Sequence, residues 1–152
     1  MTFERTTDLE LVRQIITNPA CYRRMANDQA PPLSHFQAVR QDGIEYIVAR
    51  ENHEPVALFL LVSLLLGTSP EVHFCFSPQC WGRTREVALG FLTWVWANTP
   101  YRRLIGPVPA YNRLALRLAL AVGFRQFGVE KHAVQKHGKP YDRILLEVLR
   151  PC

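Results

Sequence analysis

Two side chains that can exchange protons, Glu71 and His73, lie two positions apart in an apolar segment. Polar and apolar residues alternate over 71–76, which predicts a strand with Glu71 and His73 on one accessible face. The opposite face is predicted to be buried and consists of Val72, Phe74 and Phe76. A carboxylate and an imidazole on one face could accept a proton from an amine, directly or through water. A purely structural histidine is the alternative interpretation.

A glycine followed by polar residues precedes the next helical pattern, in the order Gly82, Arg83, Thr84, Arg85. Backbone N–H groups at a helix start attract anions, and a glycine lets a phosphate approach the main chain closely. Arginines at this end oppose the helix dipole unless an anion is present. The pattern predicts an anion site, and a polar cap with two solvated arginines is the alternative.

The elements that would position these residues follow from hydrophobic periodicity. The predicted order is helix, β, β, β, helix, β, helix, β, β. The segments are a helix from a Thr7–Glu10 capping box, a second short helix capped by Asn18, strands 44–50, 56–66 and 71–76, a helix from Val87 to Asn98, strand 104–108, a helix from Asn112 to Val122, and strands 124–129 and 144–149. Turns are expected at 68–70 and 138–140. Residues 28–43 carry no clear pattern.

Composition restricts the classes of protein that are possible. The 152 residues are 48% hydrophobic and 20% charged, which predicts one folded domain over 1–152. The most apolar run, 56–66, is shorter than the roughly 20 residues of a membrane-spanning helix, so no membrane partner is expected. The four cysteines form no Cys-x-x-Cys pair, so no metal site is predicted. With no signal segment recognised, reduced thiols in the cytoplasm are expected.

A formal charge of +5 favours anionic partners only in a general way. The densest basic spots are the pairs Arg23-Arg24 and Arg102-Arg103. Because no aromatic residues interleave with a basic stripe, nucleic-acid binding is not expected.

Several short motifs recur in one order along the chain. They are Trp81-Gly82-Arg83, Glu86, an apolar helix, Gly106-Pro107-Val108, Asn112, Gly123-Phe124, Gly128 and Tyr141-Asp142. This arrangement resembles the ribosomal-protein N-acetyltransferase branch of the GNAT superfamily over residues 44–149. It is especially similar to small GNAT-like proteins encoded in tailed-phage genomes.

The resemblance implies an α/β (α+β) fold, a mixed and mostly antiparallel central sheet with helices on both faces. It also implies a V-shaped opening between strands 71–76 and 104–108, acetyl-CoA as cosubstrate, and N-acyl transfer to an amine of a protein or small molecule. The implied cofactor-binding residues are Phe76, Gly82, Arg83, Thr84, Arg85 and Asn112. The candidate catalytic residues are Glu71, His73 and Tyr111. Asn112 has a second interpretation as a helix cap alone.

Two departures from the family pattern keep another function open. Thr84 and Arg85 fill a position where the family loop carries a further small residue, and Glu86 follows early, so the loop is contracted. Ala119 stands where many members place a tyrosine that protonates the leaving thiolate, and Tyr111 is the candidate substitute. The alternative is therefore a catalytically degenerate GNAT-fold phage protein with a structural or interaction role, in the host cytoplasm or virion, with a protein partner or as a homo-oligomer.

Overall fold

Seven strands form one sheet in a computed structural model that describes residues 1–63 and 69–152. The strands are β1 (Thr2–Thr6), β2 (Ile44–Glu51), β3 (Glu54–Val62), β4 (Glu71–Phe76), β5 (Arg103–Pro109), β6 (Arg125–Lys136) and β7 (Lys139–Leu149). The helices are α1 (Leu9–Ile16), α2 (Pro19–Met25), α3 (Thr84–Asn98) and α4 (Arg113–Ala121), with short 3₁₀ helices at Leu33–His35 and Pro78–Arg83. The strand order is β1-β2-β3-β4-β5-β7-β6.

The sheet is antiparallel except between β4 and β5, which run parallel and share the single pairing of Glu71 with Ile105. One further hydrogen bond, from Ile105 N–H to Pro70 C=O at 3.0 Å, precedes that pairing. Beyond it the two strands diverge. The mixed, mostly antiparallel sheet and the opening between these two strands agree with the prediction.

Helices cover both faces of the sheet because strand alternation supplies two apolar faces. On one face α3 and α4 pack on Phe59, Val72 and other buried residues. The ring of Phe91 in α3 stacks on Phe59 with a centroid distance of 3.9 Å and an interplanar angle of 3°. On the other face α1 and α2 pack over Leu58 and Cys75. No helix in the described part of the chain has the length and apolar character needed to cross a bilayer.

The N-terminal region differs from the prediction in two ways. Strand β1 was not predicted, because Phe3 is its one large apolar residue; it pairs with β2 along the sheet edge. The Thr7–Glu10 capping box is wrong: Asp8 caps α1, its carboxylate accepting from Leu11 N–H at 3.0 Å. The carboxylate of Glu10 instead binds Arg13 at 2.6 Å.

The hairpin β6–β7 is longer than the predicted segments 124–129 and 144–149. Charged residues and two register shifts, at 126/128 and 130/134, interrupt the alternation that marks a strand. The turn is also displaced by one residue. It is formed by His137 and Gly138 with φ of 53° and 73°, between the paired residues Lys136 and Lys139. The predicted strand 56–66 is observed to Val62; residues 64–66, and Thr68 of the predicted turn, lie outside the described residues.

Candidate active site

A cavity of about 270 Å³ occupies the opening between β4 and β5, and is called the central cavity below. Val72, His73 and Phe74 form one wall, and residues 106–109 of β5 form the other. Side chains of α3 and α4 line it on one side of the sheet, while Arg24, Met25 and Asn27 line it on the other. The cavity therefore passes through the sheet from one helical layer to the other.

A second cavity of about 360 Å³, called the adjacent cavity, borders the start of α3. Trp81 and Thr84 lie on its wall, together with Phe76 and the thiol-bearing residues Cys21 and Cys75. The two cavities share six lining residues: Arg24, Met25, Phe74, Asn112, Ala115 and Leu118. They form neighbouring compartments with a common wall.

Glu71 and His73 form a hydrogen-bonded pair at the edge of the central cavity. The Nε2 of His73 lies 3.3 Å from a carboxylate oxygen of Glu71, and the two side chains are 41% and 43% exposed, respectively. The hydrogen bond with His73 is the main cause that lowers the pKa of Glu71, and the charge of Arg143 acts in the same direction while partial burial opposes them. Glu71 is therefore a carboxylate at neutral pH, beside an imidazole that lines the cavity.

The predicted alternation of β4 holds at some positions and fails at others. Val72 and Phe76 are buried, as predicted, and Glu71 and His73 share a partly accessible face. Cys75, on that same face, is buried, because α1 and α2 cover this end of the strand. Phe74 is only half-buried, because its ring borders both cavities.

The segment around Gly82 is a 3₁₀ helix that runs directly into α3. Gly82 is exposed, and a Cβ added there would meet no atom within 4 Å. Thr84 lines the adjacent cavity, whereas Gly82, Arg83 and Arg85 line neither cavity. The open face of Gly82 leaves the main chain at this turn accessible.

Arg83 was expected to favour a bound anion at the helix start, but it already has counter-charges within the protein. Its guanidinium binds both carboxylate oxygens of Glu51 at 2.8 and 2.9 Å and a carboxylate oxygen of Glu86 at 2.7 Å. These contacts, with Glu86 first, raise the pKa of Arg83 above its usual range. Glu51 lies at the end of β2 and Glu86 in the first turn of α3. Their two carboxylates balance the positive charge of Arg83, which was expected to bind an anionic ligand. Arg85 is exposed.

Asn112 and Phe76, both predicted near the cofactor, lie on cavity walls. The side-chain oxygen of Asn112 accepts from Ala115 N–H at 3.2 Å, so the capping interpretation is confirmed. Asn112 also borders both cavities. The ring of Phe76 packs edge-on against Phe59 with a centroid distance of 5.7 Å.

Tyr111 does not meet Glu71 and His73 in the central cavity. It lines neither cavity; its ring contacts that of Tyr141 edge-on at 5.1 Å, and the Nζ of Lys136 lies 4.9 Å from its centroid. Its hydroxyl is buried without a hydrogen-bond partner among the described residues. Burial is the main cause that raises the pKa of Tyr111, followed by the charge of Asp28 and by Tyr141. Ala119, by contrast, is buried on the wall of the central cavity.

Solved structures with a similar arrangement of strands and helices include three that share 15 to 18% sequence identity with this chain. The spermidine N-acetyltransferase from Vibrio cholerae in complex with CoA and spermine has a TM-score of 0.75 and 15% identity, over 97% of this chain and 94% of that one. The ribosomal-protein-alanine N-acetyltransferase from Brucella melitensis has a TM-score of 0.73 and 18% identity, over 99% and 100%. An acetyltransferase of the GNAT family from Streptococcus pneumoniae has a TM-score of 0.60 and 18% identity, over 73% and 69%. No protein-family model and no curated protein matches the chain.

The chain has the GNAT fold. Two arginines that sequence reasoning did not select lie at the opening of this GNAT fold. The guanidinium of Arg24 lies 4.3 Å from the ring centroid of Trp81, and Arg24 lines both cavities. Arg143 lines the central cavity and binds Glu130 at 2.6 Å. The sequence showed Arg24 only as part of a basic pair, since nothing local indicates that α2 ends beside β4.

Proposed function

We propose that the protein is an acetyl-CoA-dependent N-acyltransferase that acts on an amine of a protein or small molecule. The observation that carries the proposal is the central cavity, which passes through the sheet between diverging strands with His73 on its wall. Glu71, 3.3 Å from His73, adds a carboxylate at neutral pH. A cavity open to both helical layers suits two substrates that approach from opposite sides.

The walls fit a CoA thioester in size and chemistry. One of the distant structures of this fold is described as a complex with CoA. Here the largely apolar space formed by the two neighbouring cavities suits a pantetheine arm. Phe76, Thr84 and Asn112 border it, and the exposed main chain at Gly82, with Arg85 nearby, would hold the phosphates. Arg83 contributes less than predicted, because Glu51 and Glu86 already bind it.

The proposed reaction is direct transfer. Bound acetyl-CoA supplies a thioester, whose carbonyl carbon forms a bond to the amine nitrogen as the carbon–sulfur bond breaks. The Nε2–H of His73 donates to the Glu71 carboxylate, which holds the imidazole in position, and the other ring nitrogen, Nδ1, takes the proton of the amine, directly or through water. Backbone N–H groups along the diverging strands would stabilise the developing negative oxygen. Ala119 has no proton to give to the departing thiolate, so slow turnover is expected.

Calorimetric and thermal-shift titrations with acetyl-CoA and dephospho-CoA test the cofactor site. Acetyl-CoA should raise the melting temperature, since a ligand that binds only the folded state stabilises it. Gly82→Asp should weaken binding about fivefold through like-charge repulsion, equivalent to about 1 kcal/mol. Gly82→Ala is the matched control; its added Cβ meets no atom within 4 Å, so it should bind like the wild type. Equal affinity of all three proteins would remove the site from the Gly82 turn.

A second candidate is a catalytically degenerate phage protein with a structural or interaction role. The binding of Arg83 by Glu51 and Glu86 favours it, because this removes a cation from the anion site, and Ala119 favours it as well. Such a protein would act in the host cytoplasm or the virion, through a protein partner or as a homo-oligomer. If the wild type neither binds acetyl-CoA nor acetylates any amine of a broad panel, this candidate replaces the enzyme.

A further inference from the structure

The walls of the two cavities carry positive charge and no carboxylate. Among the described residues that line them, the charged side chains are Arg24 and Arg143, and His73 is a further basic group. The neighbouring carboxylate of Glu71 lies 3.3 Å from His73 Nε2, near Arg143, and lines neither cavity. A ligand in the central cavity therefore meets cations and apolar surface.

Arg143 lies on the same side of the sheet as His73. In β7, Ile144, Leu146 and Val148 pack in the core formed with α3 and α4. Because successive strand residues point to opposite faces, Arg143 faces the layer of α1 and α2. The end of α2 adds Arg24 and Asn27 to that side of the central cavity. The proton-accepting pair and both arginines therefore border one mouth.

The two arginines differ in how far their charge is already balanced. Arg143 is paired with Glu130, with side chains 35% and 40% exposed, respectively. Arg24 forms no ion pair with the described residues and rests on the ring of Trp81 at 4.3 Å. A cation–π contact orients a guanidinium without neutralising it. Arg24 thus keeps its N–H groups and its full charge for a ligand, and the planar guanidinium suits a carboxylate or phosphate.

We infer that the acceptor is an amine that also carries an anionic group, such as the carboxylate of a free amino acid, with Arg24 and Arg143 binding that group. This inference rests on the proposed acyl transfer and names its substrate class. The anionic end would bind the arginines at the mouth while the amine reaches His73. A polyamine is expected to be a poorer acceptor, because its positive charges would face Arg24 and Arg143 on the wall, while the carboxylates of Glu71 and Glu130 lie outside it.

Arg24 also borders the adjacent cavity, so a phosphate of the cofactor is a second source of the anion it would bind. Measuring the two affinities separately distinguishes these sources. An arginine that serves the acceptor changes the KM for the amine, whereas an arginine that serves the cofactor changes the Kd for acetyl-CoA.

The test uses the full chain with saturating acetyl-CoA and matched amines: the common amino acids, the carboxamide of each, and spermidine. We expect the best amino acid to exceed its carboxamide in kcat/KM by about ten- to a hundredfold, the range for a hydrogen bond to a charged group. Arg24→Gln and Arg143→Gln should each reduce that ratio and raise the KM for the amino acid. The Kd for acetyl-CoA should not change.

Two control arginines separate a local effect from a general loss of charge. Arg23→Gln removes the neighbouring exposed cation of α2, and Arg125→Gln removes a paired arginine of β6. Neither lines a cavity, so both should keep the wild-type ratio.

Four results would overturn the inference. Carboxamides or spermidine could react as well as amino acids, which would leave the acyltransferase proposal standing with another acceptor. Both cavity variants could keep the wild-type ratio, or Arg24→Gln could weaken acetyl-CoA alone, which would assign Arg24 to the cofactor. If the wild type fails to bind acetyl-CoA at all, the proposed function fails first, and this inference with it.

Discussion

Because His73 lines the central cavity and Glu71 does not, substitution of His73 is expected to lower turnover more than substitution of Glu71. Glu71 lines neither cavity and lies 3.3 Å from His73 Nε2. We predict that His73→Gln lowers kcat by about a hundredfold or more, the usual contribution of a positioned base, and that Glu71→Gln lowers it less. Steady-state turnover with acetyl-CoA and a reactive amine measures both variants.

The exposed His35, in the 3₁₀ helix outside both cavities, provides the control His35→Gln, which should retain full turnover. A larger loss in Glu71→Gln than in His73→Gln would show instead that the carboxylate takes the proton through water. The hydrogen bond with His73 lowers the pKa of Glu71. The carboxylate form of Glu71 should therefore persist at all pH values above 4.5, the ordinary pKa of a glutamate.

The substitution Tyr111→Phe is predicted to change the stability of the fold without changing turnover. Its hydroxyl is buried with no partner in the described part of the chain, and lies outside both cavities. Tyr111→Phe should raise the free energy of unfolding by up to about 1 kcal/mol, because an unsatisfied polar group is removed, and should leave turnover unchanged. Urea unfolding and steady-state kinetics test the two parts. A large loss of turnover with intact acetyl-CoA binding would instead give Tyr111 the role of thiolate acid.

At the scale of elements, the hairpin β6–β7 holds the end of α2 beside the cavities. The Nζ of Lys136 donates to the carbonyls of Arg23 and Ala26, both at 2.9 Å. The carboxylate of Asp28 accepts from the N–H groups of His137 and Gly138 at 2.7 and 2.8 Å. These contacts join two elements that are far apart in sequence, and they fix the segment that carries Arg24.

The Asp28 contact predicts a pH dependence of stability. Hydrogen bonds from the Gly138 and His137 amides lower the pKa of Asp28 below its ordinary 3.8. A lowered pKa in the folded state means that the stabilisation is complete above the unfolded value and is lost as pH falls through the folded one. Asp28→Asn should therefore be less stable than the wild type near neutral pH, and this difference should shrink at pH values below the ordinary 3.8.

Urea unfolding across this pH range measures the difference in free energy. The control Asp42→Asn alters an exposed aspartate in the loop before β2 and should follow the wild type at every pH. A constant difference between Asp28→Asn and the wild type down to strongly acid pH would contradict the assignment of the effect to the carboxylate.

The elements that sequence could predict are those with a strong apolar period. The strands β2, β4 and β5 and the helix α3 each bury a continuous apolar face, so their patterns sufficed. Strand β1 has little apolar signal, and β6 carries charges and irregular register, so pairing with neighbours decides both. The contacts of Arg83 could not be predicted from the sequence either, since Glu51 approaches Arg83 only once the hairpin β2–β3 has formed.

At the scale of the whole molecule, the mixed sheet and the opening between β4 and β5 followed from element order and resemblance, whereas the composition of the opening did not. Its mouth joins the end of α2, the middle of β4 and the start of β7, which meet only after the sheet has formed. A single sequence contains no local sign of such a meeting. The shared face of Glu71 and His73 was predictable, because strand alternation is local, whereas their hydrogen bond was not predicted.

The wall shared by the two cavities would couple two ligands bound on its opposite sides. Phe74, Asn112 and Leu118 line both cavities, so a ligand that changed a rotamer of one of them would change the surface that a second ligand meets. Linkage requires that such coupling be reciprocal: the factor by which one ligand changes the affinity of the second equals the factor of the reverse effect. If the coupling is favourable, two ligands that each bind weakly would form a ternary complex with the protein. Selectivity would then depend on both ligands together.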